Sequence, residues 1–374
     1  MWIFVNFYFF AFLCAMDSLS GTSTITSTIV EWYRKNRRDL PWRVDPSPYK
    51  VWLSEIILQQ TRVDQGLPYF ASILDRFPSV NNLANAPLDD LLKQWQGLGY
   101  YSRARNMHEA AKQITTLWGG KFPNTYDQLL TLKGVGEYTA AAVASICFGQ
   151  AKAVVDGNVF RVLARVFGMD TPINTTQGKR LFTQLAQTLL DENNPSQSNQ
   201  AMMEFGALQC TPALPNCPDC PLKRVCNAFI ENKIDQLPVK IPSKAKQNRY
   251  FIYLFVSDGQ HTWLHQRQDK DIWQNLWEFP LIELDQASTI EEILASNQLN
   301  TVLKTPFKLG KTVNRKHILS HRILHTTFIE IRIEHPSPQF DAWKKVPLYE
   351  IQTYAVPRLL EYFISDKLGL YANK

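Results

Sequence analysis

The sequence predicts two domains of different class, an all-α domain followed by a mixed α/β domain. Three observations carry that expectation. Apolar residues recur mostly at helical spacing from Ile25 to Cys226, a polar, basic, Pro-punctuated stretch runs from Asp235 to Lys246, and beyond it aromatic and β-branched runs take over. A chain of 374 residues is long enough to give each domain its own core.

In the first domain Ile29, Trp32 and Tyr33 begin the helical pattern and Tyr49 to Thr61 continues it. Leu88 to Trp95, Arg103 to Trp118, Tyr138 to Phe148 and Asn158 to Phe167 follow through short turns marked by Pro and Gly. The stretch from Asp235 suits a linker better than packed structure. Tyr250 to Val256 then reads as a strand closed by the turn Ser257-Asp258-Gly259, and Thr326 to Glu334 alternates like another. These patterns place the first domain at residues 17–234, a linker at 235–248 and the second domain at 249–374. No internal repeat of solenoid or propeller type is found.

Residues 1–16 are mostly apolar and rich in Phe, but they lack the basic start of a signal peptide and are short for a membrane span. They are expected to be a mis-annotated start or a disordered extension, with translation beginning at Met16. A formal charge of +6 suits a polyanionic partner, although many proteins that never touch nucleic acid share such a balance. A hydrophobic fraction of 45% with 20% charged residues is that of a soluble globular protein, so no membrane partner is expected.

Cys210, Cys217, Cys220 and Cys226 form C-x6-C-x2-C-x5-C. Four thiolates in so short a span satisfy either a zinc ion or a four-iron cluster, both of which take soft anionic ligands. The asymmetric spacing departs from the paired short knuckles usual for zinc, and disulfides fit poorly in an intracellular context. Lys223 and Arg224, between the last two cysteines, are placed either to face phosphate or simply to be solvated.

Upstream, Leu132-Lys133-Gly134-Val135-Gly136-Glu137 sets two glycines around one apolar residue between helical stretches. Such a hairpin turns sharply and can offer backbone N–H groups to a phosphate. About twenty residues later Val154-Val155-Asp156-Gly157-Asn158 places an aspartate at a helix start, where it serves as an N-cap whatever else it does. Glu55 lies in an otherwise apolar helix, where burial would raise its pKa and keep a proton available near neutral pH.

Hairpin, aspartate and four-cysteine loop, in that order, resemble the helix-hairpin-helix DNA glycosylase superfamily over nearly all of residues 25–230. Leu40-Pro41-Trp42-Arg43, the run Pro48 to Thr61 and the run Gln94 to Arg105 are similar to the MutY family of adenine DNA glycosylases within it. The resemblance implies a helix-hairpin-helix domain with a [4Fe-4S] cluster on the four cysteines and a Nudix-like second domain. It implies hydrolytic removal of adenine opposite 8-oxoguanine or guanine in duplex DNA, by base flipping, in base-excision repair. A monomer is expected and, in a bacterium, a cytoplasmic, nucleoid-associated one.

By the same resemblance Glu55 is the general acid, Asp156 stabilises the sugar cation and Asn158 helps position water. Tyr138 stands where strand-cutting relatives carry a lysine. A phenol cannot form an imine, so base removal without efficient strand cleavage is implied, with Tyr138 supporting the sugar cation. Arg38, Trp42, Leu58, Gln200 and Met203 are implied to line the adenine pocket. Tyr100 is implied to intercalate and Gln60 to wedge, while Gly134, Val135 and Gly136 grip the backbone. In the second domain Lys316-His317-Ile318-Leu319-Ser320-His321 resembles the loop that reads the oxidised guanine through Ser320 and His321, with Leu319 where Phe is familiar. The glutamate-rich box of Nudix hydrolases is missing, which argues against pyrophosphate hydrolysis. Two rivals remain open on sequence: an endonuclease III-like glycosylase and lyase, and a DNA-binding scaffold without chemistry.

Overall fold

The computed structural model describes residues 19–242 and 245–369, so the expectation for residues 1–16 lies outside the described residues. The chain packs as two compact units. One gathers the described parts of Met1–Phe70, Ser79–Asn81 and Glu109–Pro242; the other gathers Ala71–Pro78, Asn82–His108 and Ser243–Lys374.

The helices run α1 (Leu19–Asn36), α2 (Pro41–Val44), α3 (Pro48–Leu58), α4 (Val63–Arg76), α5 (Val80–Asn85), α6 (Leu88–Gln94), α7 (Ser102–Trp118), α8 (Tyr126–Leu130), α9 (Glu137–Phe148), α10 (Gly157–Phe167), α11 (Thr176–Leu189), α12 (Pro195–Leu208) and α13 (Asn227–Ile230). Their starts follow local chemistry. Ser47 and Thr175 accept from backbone N–H groups of α3 and α11, and Pro occupies the first turn of α2, α3 and α12. Helix α10 is the clearest case. Asp156 caps it, Gly168 in a left-handed conformation ends it, and Val159, Val162, Leu163 and Val166 repeat at the spacing of one buried face. That face meets Ile29 and Tyr33 of α1, Phe182 and Leu185 of α11 and Phe205 of α12 in one core.

Helices α10 and α12 come close together at Gly206. A Cβ there would lie 2.6 Å from Asn158 Cβ and 2.8 Å from the Asn158 carbonyl oxygen, so only glycine lets the first turn of α10 sit this near. The stretch expected as a linker is anchored at its start: Leu237 is buried in the same core, Arg165 Nε donates to the carbonyls of Ile234 and Leu237, and Ile173 N donates to Val239 O. Its basic, Pro-rich composition hid that packing, which depends on apolar Leu237 and Val239 and on a distant arginine.

In the second unit β1 (Gln247–Ser257), β2 (His261–Gln266), β3 (Trp277–Glu278), β4 (Leu281–Leu284), β5 (Lys308–Ile318), β6 (Arg322–Arg332) and β7 (Lys344–Pro347) form a mixed sheet of main order β3-β2-β1-β6-β5. Strand β1 runs parallel to β6 with Gln247 opposite Arg322 and Ser257 opposite Arg332. Residues 251–257 of β1 are all buried, which explains the unbroken apolar run in the sequence. Helices α14 (Ile290–Ala295), α15 (Gln298–Leu303) and α16 (Arg358–Leu368) belong to the same unit, with Phe363 stacked on Phe328 at 4.3 Å. The strand expected over Thr326 to Glu334 begins earlier, at Arg322, because β5 and β6 pair almost to their hairpin turn. No helix among the described residues is long and apolar enough to cross a membrane.

Gly206→Ala should therefore destabilise the protein by about 1–3 kcal/mol, the usual cost of overpacking a closed interface. Chemical denaturation checks this, and unchanged stability would mean that α10 and α12 separate freely.

Candidate active site

Glu55 projects from α3, where Val51 to Ile57 are all buried. It is 8% exposed, and burial pushes its carboxyl up to about 7, with neighbouring Asp156 adding to the rise. Tyr138, on the first turn of α9, donates its hydroxyl to Glu55 Oε2 at 2.6 Å. That bond and the nearby Arg43 guanidinium oppose the rise without cancelling it. Because Oε2 accepts from Tyr138, the proton of the acid form belongs on Oε1. The same hydroxyl lies 3.7 Å from Met203 Sδ.

Asp156 caps α10: Oδ1 accepts from the backbone N–H groups of Asn158 at 2.9 Å and Val159 at 2.8 Å, and Oδ2 accepts from Asn158 Nδ2 at 2.7 Å. Burial nevertheless leaves its carboxyl above the ordinary value. The cap expected from sequence is present, and it fixes the carboxylate within electrostatic reach of Glu55.

The residues expected around an adenine are brought to the same unit with unequal freedom. Trp42 is buried edge-on against Phe70 at 5.0 Å, and Leu58 is half-buried. Gln200 Oε1 accepts from Tyr33 at 3.5 Å, and its amide donates to Ser196. Arg38 is committed to an ion pair with Glu204 at 2.7 Å. Arg43 binds the same carboxylate at 2.9 Å. Glu204 and Arg43 were not singled out from sequence, although Glu204 adjoins Met203 and Arg43 adjoins Trp42.

Arg161, also missed, ties the start of α10 to the cysteine loop. Its guanidinium donates to Asn158 Oδ1 at 2.8 Å, Gly206 O at 2.6 Å and Cys210 O at 2.6 Å. One turn later Arg165 donates to Cys210 Sγ at 3.4 Å and to Thr211 O at 2.8 Å. A pair of arginines at i, i+4 on an apolar helix is the signal that could have exposed them.

Cys210, Cys217, Cys220 and Cys226 are free thiols, and the thiols of Cys217, Cys220 and Cys226 are raised first by burial and also by neighbouring cysteines. No group of three or more His, Cys, Asp or Glu among the described residues is arranged to hold a metal ion. The donor chemistry, four soft thiols that act electrostatically on one another, still suits a cluster carried by thiolates. Lys223 turns back to donate to Pro218 O at 2.7 Å, and Arg224 is exposed.

Gly134 has φ 75° in the hairpin, Val135 beside it is buried, and Gly136 caps α9. Gln60 and Tyr100 are exposed non-glycine residues at φ 57° and 48°, a rare state that costs backbone strain. Tyr100 is 45% exposed. Within the second unit its hydroxyl meets that of Ser320. The expected loop Lys316 to His321 is shorter than its sequence suggested: Lys316 to Ile318 belong to β5, and Leu319 N donates to Arg322 O across a tight turn that exposes Ser320 and His321.

Comparison with known proteins identifies the family. Residues 53–188 match the family described as HhH-GPD superfamily base excision DNA repair protein, and residues 251–366 match the NUDIX domain. An adenine DNA glycosylase of Buchnera aphidicola subsp. Baizongia pistaciae is 35% identical over 316 residues, covering 83% of this chain and 87% of the relative. The chain belongs to the adenine DNA glycosylase family. The human adenine DNA glycosylase is 43% identical over 228 residues, 59% of this chain and 42% of that protein. A solved thermostable thymine-DNA glycosylase superposes with TM-score 0.53 at 28% identity, covering 57% of this chain and all (100%) of that one. The glycosylase thus joins a helix-hairpin-helix domain to a Nudix-like domain, as expected from sequence.

The raised carboxyl of Glu55 has a consequence for stability. A carboxyl that titrates higher in the folded than in the unfolded chain favours folding fully at low pH, and that contribution is lost as pH rises through the folded value, here about 7. Glu55→Gln removes the group and should leave stability near wild type at pH 4 but raise it by on the order of 3 kcal/mol at pH 8. Denaturation at both pH values checks the difference; equal effects would show that Glu55 is not strained by burial.

Proposed function

We propose that the glycosylase extracts adenine from duplex DNA, where adenine stands opposite 8-oxoguanine or guanine, and hydrolyses its N-glycosyl bond without cutting the strand. The observation that carries this reading is the pair of carboxyls in one buried site: Glu55, able to hold a proton near neutral pH, beside Asp156 fixed on a helix start. Extrusion of the base costs a few kcal/mol of pairing and stacking. Glu55 then donates the proton on Oε1 to the base, at N7, making adenine a better leaving group. Tyr138 orients that carboxyl and contributes to the field around the sugar. As the bond breaks toward an oxocarbenium-like sugar, Asp156 faces the cation, and its hydrogen bonds hold the carboxylate in place during the charge change. Asn158 positions the water that adds to the cation, and the Glu55 carboxylate, having given up its proton, takes the one this water loses, which leaves an abasic sugar.

Trp42, Leu58, Gln200 and Met203 wall the base, with Gln200 offering its amide and Arg38 lying at the pocket edge in its pair with Glu204. Gly134, Val135 and Gly136 hold a phosphate. Tyr100 and Gln60 enter the stack, a role that their exposure favours. Ser320 and His321, exposed on a hairpin turn, read the base opposite adenine. The lysyl position filled by Tyr138 disfavours the lyase rival, and the two carboxyls disfavour a scaffold without chemistry.

Cys210, Cys217, Cys220 and Cys226 hold a [4Fe-4S] cluster whose role is structural, stapling a loop that has few apolar residues. When bound, the cluster supplies cross-linking through four thiolates and a local charge that Arg165 can meet. Protein purified anaerobically should be yellow-brown and carry close to four irons per chain by metal analysis. Stoichiometric zinc without iron would reject the cluster.

Single-turnover release of adenine from duplexes pairing it with 8-oxoguanine, guanine or thymine tests the function directly. Glu55→Gln and Asp156→Asn should each slow release by roughly 100-fold or more while duplex binding persists. Near-normal release by either folded variant would remove that residue from the chemistry.

A further inference from the structure

Glu204 is the most heavily bonded carboxylate near the site, and no step above uses it. Its side chain is 1% exposed on α12. It accepts from Arg38 N at 3.0 Å, Arg38 Nε at 2.9 Å and Arg38 Nη2 at 2.7 Å. From the other side Arg43 donates Nη1 to Oε1 and Nη2 to Oε2, both at 2.9 Å. Arg43 is further pinned by Nη1 at 3.4 Å from Arg38 O and by its guanidinium over the Tyr33 ring at 5.8 Å. Two guanidinium groups and one carboxylate leave a net charge of about +1 in this cluster, and a lone buried charge would be costly.

The groups within reach of Glu55 are Asp156 at the start of α10, Tyr138 and Cys147 on α9, and Arg43 from α2. Arg43 is the cation among them, and it favours the ionised form of the group whose proton the chemistry needs. We infer that Glu204 is a positioning residue for excision: its carboxylate locks the Arg43 guanidinium in place and offsets enough of its charge for Glu55 to keep its proton. This rests on the proposed role of Glu55 as proton donor. The alternative is that Glu204 only ties α12 to the turn bearing Arg38 and Arg43.

Charge makes the two separable. The rate of single-turnover adenine release should fall at alkaline pH as Glu55 ionises. In Glu204→Gln the Arg43 charge is uncompensated, so this alkaline limb should move to lower pH; in Arg43→Gln it should move to higher pH. A displacement of about one pH unit is a tenfold change in the protonated fraction above the limb. Circular dichroism confirms folding; should Glu204→Gln fail to fold, Arg38→Gln leaves Glu204 wholly to Arg43 and should move the limb upward as well. A purely structural role lowers the rate equally at every pH and leaves the limb in place, which would overturn the inference. Glu55→Gln keeps the two readings apart. Its small residual rate should show no such limb, and a limb that survives this substitution would overturn the role of Glu55 itself, whereas an unmoved limb in the other variants would overturn only that of Glu204.

Discussion

The hydrogen bond from Tyr138 to Glu55 joins two helices that are apolar almost everywhere else, and the site is organised around its burial. Helices α3 and α9 exclude water from the carboxyl because their neighbouring side chains are Trp, Ile, Ala and Val. Desolvation is then the dominant influence on Glu55, larger than the opposing hydrogen bond and the Arg43 charge. A solvated glutamate at the same sequence position would be fully ionised at neutral pH. The apolar packing of the first unit is thus also what raises the Glu55 carboxyl.

Helix α10 carries three functions along one length. Its cap is Asp156, its apolar stripe closes the core, and its arginines reach the cysteine loop. Arg161 and Arg165 are tolerated in a buried setting because every guanidinium nitrogen of both donates to a backbone carbonyl. The result is a continuous set of hydrogen bonds from Cys210 O through Arg161 and Asn158 to Asp156. Disturbance of the loop therefore has a short physical route to the carboxylate.

The second unit solves a different problem. Parallel pairing of β1 with β6 buries both faces of β1, and helices and aromatic rings cover them. Arg267 and Tyr253 both bind the buried carboxylate of Glu278, so that charge is partnered inside the unit. The hairpin turn after β5 leaves Ser320 and His321 exposed.

Periodicity, caps and punctuation determined much of this protein from sequence alone. The helix starting after Asp156, the hairpin at Gly134 to Gly136, the strand from Tyr250 and the burial of Glu55 all follow from local patterns, because neighbours in sequence decide them. Partnerships across the chain were not legible. Glu204 meets Arg38 and Arg43 over more than 160 positions, Arg161 meets Cys210 over 49, and Leu237 enters a core begun by Ile29. A charged residue looks the same in sequence whether it is solvated or enclosed. Only the packing of α10, α12 and the turn before α3 decided which charges lost their water and therefore had to find one another.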